Sequence, residues 1–424
     1  MSSRGLQQVD VILDVEDLGQ RRMGILHRQT ARGGEVYSFE FDPDWLTRRD
    51  PIALDPDLLP APGRTYPSAG RAQFGIFMDS APDRWGRTLM QRREALLATQ
   101  EKRPARTLME WDYLLGVHDF SRLGALRFRA HLDSPFLDDS STNKAPPLAS
   151  LRELQAAARV IEEDRAPDDN SLKAALDQLL APGSSLGGAR PKASVLDEHG
   201  QLCIAKFPSG QDEWDVGAWE MVAHALAKNA GIRVPPTRTV RFTPDGHTFI
   251  AQRFDRTPKG SRLAFVSAMT LLQRSDGDND ASYLELVDLM QSRGAQTQAD
   301  CEELFRRVVF SICISNTDDH LRNHGFIVGG TGVVLSPIFD INPNPQRRQL
   351  SLAVDETNAT LSLDVAESAA EYYGLRIDRA RDIIGKVQKS VQRWPKEAKA
   401  LGIPERQQEL MRPAFSLAEQ SRVQ

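Results

Sequence analysis

The sequence has few cysteines and no long hydrophobic run. Cys203, Cys301 and Cys313 are its three cysteines, an odd number without C-x-x-C spacing, which disfavours disulfides and a zinc cage and fits a reducing compartment. No apolar stretch approaches the ~20 residues that a membrane helix needs. The N-terminus lacks the hydrophobic segment of a signal peptide. We therefore expect a cytoplasmic protein with no membrane partner.

The sequence also lacks an excess of basic residues and an internal repeat. The net charge of −5 gives no global positive field for nucleic acid, although it leaves a local basic patch possible. No similarity recurs at the period of a solenoid protein. A hydrophobic content of 40% and a charged content of 26% are typical of a soluble globular protein. At 424 residues, two or three domains are expected.

The N-terminal part is predicted to be rich in β-structure. Val9 to Leu13 and Glu35 to Phe41 have strand patterns, with residues 31–34 as a turn between them. The segment from His131 to Pro147 is rich in proline, serine and aspartate and is interpreted as a linker. We therefore place a domain boundary near residue 145.

A polar stretch from Ser315 to Pro345 carries the strongest chemical signal. Asp318 and Asn323 are five residues apart, and Asp340 follows a run that is predicted to be buried. Protein kinases use this spacing, with a carboxylate that orients the attacking hydroxyl and an amide and a second carboxylate that bind magnesium. A solvated turn rich in Asp and Asn explains the stretch equally well when it is taken alone. The buried helix predicted before Ser315 favours a positioned loop.

A glycine-rich segment, Gly183 to Lys192, precedes a predicted strand. Gly187, Gly188 and Lys192 are its candidates for nucleotide contact, because glycine lets backbone amides approach phosphate oxygens. Ala189 and Arg190 stand where a P-loop has Lys and Ser or Thr, which disfavours a P-loop nucleotidase. A lid of the kinase type and a flexible connector both remain open.

A lysine and a glutamate follow this segment in positions that suit a kinase. Lys206 ends a predicted strand on its apolar face, where an unpaired ammonium is unfavourable, so it requires an anionic partner. Glu220 borders the apolar face of the next predicted helix and would supply the kinase lysine-glutamate pair. A surface lysine on an edge strand is the alternative.

A hairpin and a helical half complete the predicted architecture. Thr237 to Phe242 and His247 to Phe254 flank a Pro-Asp-Gly turn, and Arg253 and Phe254 then lie where the kinase hinge faces adenine. The part after residue 259 is predicted to be mainly helical. The predicted fold is α+β and two-lobed, like a protein kinase, with regions 1–145, 146–258 and 259–424 as N-terminal β-rich subdomain, nucleotide-binding lobe and helical lobe.

Taken together, these motifs resemble the HipA family of bacterial serine/threonine kinases, the toxins of type II toxin–antitoxin pairs. The resemblance extends over nearly the whole chain. It is most specific in the T-D-x-H-x-x-N and D-x-x-P pair. The motifs that carry it are Phe77 to Arg87, Gly124 to Phe128, the glycine segment, Lys206, Glu220, Arg253 to Arg256, Thr317 to His320, Asn323 and Asp340 to Pro343.

The resemblance implies roles for single residues. Asp318 matches the catalytic aspartate, Asn323 and Asp340 the magnesium ligands, and Lys206 the lysine on the ATP phosphates. Ser185, next to Ser184, matches a serine whose autophosphorylation switches family members off, and a charge near −2 there would repel ATP. Arg322 replaces the usual lysine and keeps its charge. His320 is expected to be a structural member of the loop at the nucleotide site, hydrogen-bonded to the backbone.

The resemblance also implies partners, and other functions stay open. A small helix-turn-helix antitoxin like HipB is implied, with DNA reached only through it, and the protein substrate would be part of the translation machinery, for instance an aminoacyl-tRNA synthetase. Alternatives are a kinase-fold co-repressor without catalysis and a small-molecule kinase, although Asn316 stands where aminoglycoside kinases have histidine. His320 and His324, four residues apart, could instead bind a transition metal in a hydrolase.

Overall fold

A computed structural model describes residues 6–31, 34–48, 52–139, 145–163, 168–180, 188–278 and 280–420. The described strands are β1 (Gln8–Val15), β2 (Gly19–Ala31), β3 (Gly34–Phe41), β4 (Arg64–Thr65), β5 (Leu126–Arg129), β6 (Lys192–Leu196), β7 (Leu202–Lys206), β8 (Thr237–Thr243), β9 (Gly246–Gln252), β10 (Ala264–Ser267), β11 (Gly325–Gly329) and β12 (Gly332–Leu335). The described α-helices are α1 (Pro43–Leu46), α2 (Gly75–Asp79), α3 (Arg84–Gln100), α4 (Glu110–Leu115), α5 (Leu151–Glu163), α6 (Asp169–Leu180), α7 (Val216–Asn229), α8 (Ala268–Leu271), α9 (Tyr283–Arg293), α10 (Thr297–Cys313), α11 (Leu363–Ser368), α12 (Ile377–Val391), α13 (Trp394–Ala400), α14 (Glu405–Met411) and α15 (Ser416–Glu419).

The chain forms two compact units. The first consists of residues 1–210, 252–266 and 327–330, and the second of residues 211–251, 267–326 and 331–424. The β-rich N-terminal region and the mainly helical C-terminal half confirm the predicted α+β class. The three-part division at residues 145 and 258 stays a prediction. In the part of the chain that the structure describes, no helix has both the length and the apolar character to cross a membrane.

The first unit contains a five-stranded antiparallel sheet in the order β4-β3-β2-β1-β5. The sequence analysis predicted β1 and β3 but missed β2, because charged residues interrupt its apolar pattern. Those charges are neutralised within the sheet. Arg22 lies 2.5 Å from Asp10 and 2.7 Å from Asp42.

The segment interpreted as a linker packs on the first unit at two of its described residues, and the interpretation of the rest stays a prediction. Phe136 bridges to Arg129, and the Leu137 backbone N–H donates to the Phe128 carbonyl at 2.8 Å. Phe136 and Leu137 are buried. Two apolar anchors therefore hold a stretch whose polar composition suggested exposure.

The second unit is built around α7, α10 and α12. The ring centroids of Trp219 of α7 and Trp394 lie 6.1 Å apart. The Trp394 ring also stacks on Phe415, with 4.8 Å between ring centroids. The tail beyond residue 396 is helical and buries Met411 and Phe415. Burial of each such side chain stabilises the fold by roughly 1.5–3 kcal/mol. The C-terminal tail is therefore part of this core.

Candidate active site

The polar loop, residues 315–324, begins where α10 ends. The apolar face of α10 is fully buried, so the helix gives the loop a rigid origin. Ser315 has a φ of 51°, a left-handed conformation that costs roughly 1–2 kcal/mol for a residue other than glycine. Two hydrogen bonds stabilise this conformation. Ser315 Oγ donates to the Ala414 carbonyl at 3.0 Å, and the Asn316 N–H donates to the Ser311 carbonyl at 2.8 Å. The chain therefore leaves α10 in a fixed direction.

Asp318, the predicted catalytic residue, projects from this loop. Its side chain is 77% exposed, and its Oδ1 lies 3.6 Å from Nη1 of Arg347, itself 63% exposed. The Arg347 N–H donates to Asn344 Oδ1 at 3.2 Å, which fixes the turn that carries the arginine. The carboxylate is accessible to a substrate. Arg347 was missed from the sequence because it follows Asp318 by 29 residues in an ordinary polar turn.

Asn323, a predicted magnesium ligand, is held against the backbone of the same loop. It ends a short 3-10 turn, Leu321–Asn323, and its backbone N–H donates to the His320 carbonyl at 2.8 Å. Its side-chain Nδ2 donates to the Asp318 carbonyl at 3.1 Å. With the amide nitrogen engaged, the side-chain oxygen is the atom that would bind a hard cation.

Asp340, the second predicted ligand, lies on a segment that is docked on the polar loop. The Asn342 N–H donates to Asn316 Oδ1 at 3.2 Å, and Ile341, which stands between Asp340 and Asn342, is buried. Asp340 has a φ of 57°, again in the left-handed region. Strained residues of this kind concentrate at functional sites. The structure therefore brings the segments of Asp318, Asn323 and Asp340 together.

Asp319 was not predicted as a functional residue, yet it makes the densest contacts in the loop. Its Oδ2 accepts hydrogen bonds from Tyr283 Oη at 2.7 Å and Ser311 Oγ at 3.1 Å, and its Oδ1 lies 3.0 Å from His324 Nε2. Burial opposes ionisation, but His324 and the two hydroxyl groups lower the pKa of Asp319. Burial and the charge of Asp319 raise the pKa of Tyr283 well above its ordinary value, so the phenol stays a donor.

The predicted phosphate-binding residues of the first unit lie on one hairpin. Lys206 at the end of β7 stands opposite Lys192 of β6, and both are buried. The Lys192 ammonium contacts Asp83 Oδ2 at 2.8 Å and donates to the Gly188 carbonyl at 3.1 Å. That ammonium is engaged and only 1% of the residue is exposed, and the assignment of Lys192 as a nucleotide contact stays a prediction. Lys192 anchors the end of the glycine segment to the start of α3.

Gly188 has a φ of 87°, which suits glycine and not a residue with a Cβ. Its backbone oxygen also accepts from the Trp85 N–H at 3.4 Å. Gly187, Ser185 and Ser184 lie outside the described residues, so their predicted roles stay predictions.

The side chains predicted at the hinge contact other residues of the first unit. The Arg253 guanidinium, fully buried, donates to Asp255 through Nε at 2.9 Å and Nη2 at 2.7 Å, and to the Ser121 carbonyl at 2.6 Å. Phe254 packs against Phe265, with 5.9 Å between ring centroids. The assignment of both residues to the nucleotide stays a prediction. A backbone contact with adenine stays a prediction.

The predicted partner of Lys206, Glu220, lies on α7 in the second unit. The residue is 1% exposed, as the apolar neighbourhood of its helix face indicated. A glutamate so deeply buried requires a compensating partner. The pairing with Lys206 remains a prediction.

Five buried polar atoms of the site make no hydrogen bond of acceptable geometry to a described residue: Thr317 Oγ1, His320 Nδ1, Asn342 Oδ1 and both ring nitrogens of His324, whose Nε2 nevertheless lies 3.0 Å from Asp319. Through Nδ1, His320 therefore does not make the expected hydrogen bond to the backbone. Unsatisfied buried polar atoms are rare and call for a partner. They lie on the two segments that carry the oxygen ligands, so this donor set fits a bound cation and polyphosphate.

The transition-metal alternative gains no support from the loop. In the described ranges, no group of three or more His, Cys, Asp or Glu side chains is placed to hold a metal ion. His324 faces Asp319, and its ring packs edge-on against Tyr283. The two histidines, His320 and His324, therefore have different surroundings and do not form a common site.

Two family models match the chain. Residues 15–110 match the HipA N-terminal domain, and residues 184–394 match the HipA-like C-terminal domain. The second match includes Lys206, Glu220, Asp318, Asn323 and Asp340. Together the two matches cover most of the chain.

Two known proteins are similar to this chain. One is a Haemophilus influenzae protein that is named as a proposed kinase. It is 26% identical over an alignment of 223 positions, which covers 45% of this chain and 64% of that protein. The chain thus spans less than two thirds of that relative. The HipA–HipB–operator DNA complex of Shewanella oneidensis MR-1 contains a chain with 15% identity and a TM-score of 0.68, over 97% of this chain and 96% of that one. At this identity the likeness shows a shared fold.

Proposed function

The chain belongs to the HipA family, and we propose that it is an ATP- and magnesium-dependent kinase that phosphorylates serine or threonine hydroxyl groups of a protein. The observation that carries the proposal is the polar loop. It presents an exposed carboxylate at Asp318, beside Asn323 and a docked segment with Asp340. This is the set that phosphoryl transfer requires, because positioning and charge stabilisation supply most of its catalysis.

Each residue would have a separate task. Asp318 would accept a hydrogen bond from the target hydroxyl and orient it. Asn323 and Asp340 would hold magnesium, and Lys206 would bind the phosphates. ATP would supply the transferable phosphoryl group, and magnesium would neutralise its negative charge. The exposure of Asp318 supports this division, because a protein hydroxyl has to reach it from solvent.

We also propose the finer properties that the family suggests. The chain would act as the toxin of a toxin–antitoxin pair, with a HipB-like antitoxin that binds operator DNA, and its target would belong to the translation machinery. The similar Shewanella chain is from a complex with HipB and operator DNA, which supports such a partner. Autophosphorylation of Ser185, or of the adjacent Ser184, would inhibit the kinase by adding negative charge where ATP phosphates bind.

Intact-mass spectrometry tests the proposal directly. Protein incubated with ATP and Mg²⁺ should gain one phosphate, located by fragmentation to residues 183–192, and ATP with excess EDTA should give no gain. Radiolabelled transfer to purified proteins and to small metabolites separates a protein kinase from a small-molecule kinase. Absence of both autophosphorylation and transfer would favour a co-repressor without catalysis.

Arg347 provides a second, smaller test. Its guanidinium is the cation that the structure places beside the Asp318 carboxylate. Arg347→Ala should lower kcat/KM about 1.4- to 5-fold, as the ~0.2–1 kcal/mol of an exposed ion pair implies. The neighbouring Arg348, also exposed, offers a matched control, since Arg348→Ala removes the same charge. Equal losses in the two variants would assign the effect to net charge and not to the contact with Asp318.

A further inference from the structure

The polar loop contains two pairs of residues with the same spacing, offset by one position. Asp318 and Asn323 are the proposed functional pair, and Asp319 and His324 directly follow them. The members of the second pair lie 3.0 Å apart. Asp318 is exposed whereas the Asp319 side chain is only 8% exposed, so adjacent carboxylates point to opposite sides of the loop. The backbone therefore joins Asp318 to Asp319 and Asn323 to His324, and Asp319 and His324 form the buried contact.

The buried contact is fixed to two helices. Tyr283, the first residue of α9, and Ser311 of α10 both donate to Asp319 Oδ2. The edge of the Tyr283 ring packs on His324, with 5.6 Å between ring centroids at 90°. The carboxylate thus ties both ends of the loop to the rigid part of the second unit.

Packing alone does not require a carboxylate at this position. Taking a carboxylate out of water is unfavourable by several kcal/mol, and a well-packed apolar group of similar volume often serves stability equally well. An apolar group could not fix the orientation of the side chain in this way. The three polar contacts fix the orientation of Asp319 and, through the backbone, that of its neighbour Asp318. Partners that orient metal ligands commonly affect metal affinity and activity about 10–100-fold.

We propose that Asp319 is a positioning residue, which sets the geometry of Asp318 and Asn323 from the buried side of the loop. This inference rests on the proposed function. Asp319 touches neither the hydroxyl substrate nor the metal. Its contacts with Tyr283, Ser311 and His324 hold the loop in the form that presents the exposed carboxylate and the Asn323 oxygen on the same side.

The test compares two buried aspartates of the second unit. Asp319→Asn keeps the shape of the side chain and removes its charge. Asp300→Asn is the matched control, because Asp300 is also buried and contacts Arg233 at 2.6 Å, yet lies about 16 Å along α10 from Ser311. For each protein, calorimetry measures binding of the non-hydrolysable ATP analogue AMP-PNP over a Mn²⁺ titration. Labelled transfer from ATP to casein gives kcat and KM, and thermal unfolding gives the midpoint.

We expect Asp319→Asn to raise the Mn²⁺ concentration for half-maximal AMP-PNP binding, and to lower kcat, about 10–100-fold each, with the KM for casein unchanged. Asp300→Asn should lower the unfolding midpoint and leave Mn²⁺ dependence and kcat unchanged. Tyr283→Phe, which removes one donor and no charge, should change the same two quantities less. It also provides the test if Asp319→Asn does not fold.

The inference is overturned if a folded Asp319→Asn, or in its place Tyr283→Phe, has parental Mn²⁺ dependence and kcat. It is also overturned if Asp300→Asn matches Asp319→Asn in both quantities, because the effect would then follow from lost stability. If the parental chain neither binds AMP-PNP with Mn²⁺ nor transfers phosphate, the proposed function fails first. That outcome is distinguishable, because it is seen in the parental protein before any variant is compared.

Discussion

Asp318→Ala is expected to lower the rate of phosphoryl transfer about 10²–10⁴-fold, the range over which a positioned acid or base contributes to catalysis. The fold should be unaffected, because the Asp318 side chain is exposed and its described ionic contact is with an exposed arginine at 3.6 Å. Binding of AMP-PNP with Mn²⁺ should persist, since Asn323 and Asp340 remain. Steady-state kinetics with labelled ATP, calorimetry and thermal unfolding measure the three quantities.

Two further variants make this result specific. Asp318→Asn keeps the shape of the side chain and should lose nearly as much activity, because the amide is a poor acceptor for a hydroxyl proton. Asp382→Ala removes an exposed carboxylate of α12, paired there with Arg379 and Lys386, and should keep the parental rate. Transfer by Asp318→Ala at the parental rate would show that another residue orients the hydroxyl group.

Asp255→Asn is expected to have the largest effect on stability. Asp255 is buried, and its carboxylate contacts Arg253 at 2.7 Å, Arg256 at 2.6 Å and the Gly124 N–H at 2.9 Å. Removing its charge leaves two buried guanidinium groups without their carboxylate, which costs about 3–5 kcal/mol. For a unit of this size, the unfolding midpoint should fall by roughly 6–20 °C. Differential scanning calorimetry measures that fall.

The pH dependence of this effect has a defined sign. Burial favours the neutral acid, but Arg253 and Arg256 outweigh it and hold the pKa of Asp255 well below its ordinary value. A depressed pKa stabilises the fold above the unfolded-state pKa, about 3.9, and that stability is lost as pH falls through the folded-state pKa. Burial lowers the pKa of Arg256 to about 9, so it is still charged at neutral pH. The difference between parental protein and Asp255→Asn should be full at pH 7 and shrink below about pH 4.

A surface ion pair of the same unit is the matched control. Glu16 lies 3.9 Å from Lys259, and both side chains are largely exposed. Glu16→Gln should leave the midpoint unchanged, because exposed pairs contribute little. A comparable fall in both variants would mean that loss of any acidic residue destabilises this unit.

The sequence predicted the elements with regular apolar patterns and the polar loop between them. The β8–β9 hairpin was predicted nearly to the residue, because the Pro-Asp-Gly turn acts locally. Asp318, Asn323 and Asp340 were predicted as site residues from their spacing, and the hydrogen bond between Asn342 and Asn316 joins their segments, while their roles stay predictions.

Features that depend on contacts between distant residues were not predictable in this way. The Arg253 guanidinium donates to the Ser121 carbonyl, 132 residues earlier, and no local pattern indicates that contact. The spacing to Asn323 selected Asp318 as the candidate, but no pattern showed that the adjacent Asp319 faces the core. Only the folded positions of Tyr283 and Ser311 separate their roles.

The return of residues 252–266 to the first unit limits how this chain can be divided. Arg253 and Arg256 donate to carbonyl groups of the segment from Phe120 to Arg122, more than 130 residues earlier. A cut between Arg122 and residue 184, where the second family-model match begins, would separate those carbonyl groups from their donors. The N-terminal part therefore cannot be exchanged between relatives by itself. Recombination would have to exchange it together with residues 252–266.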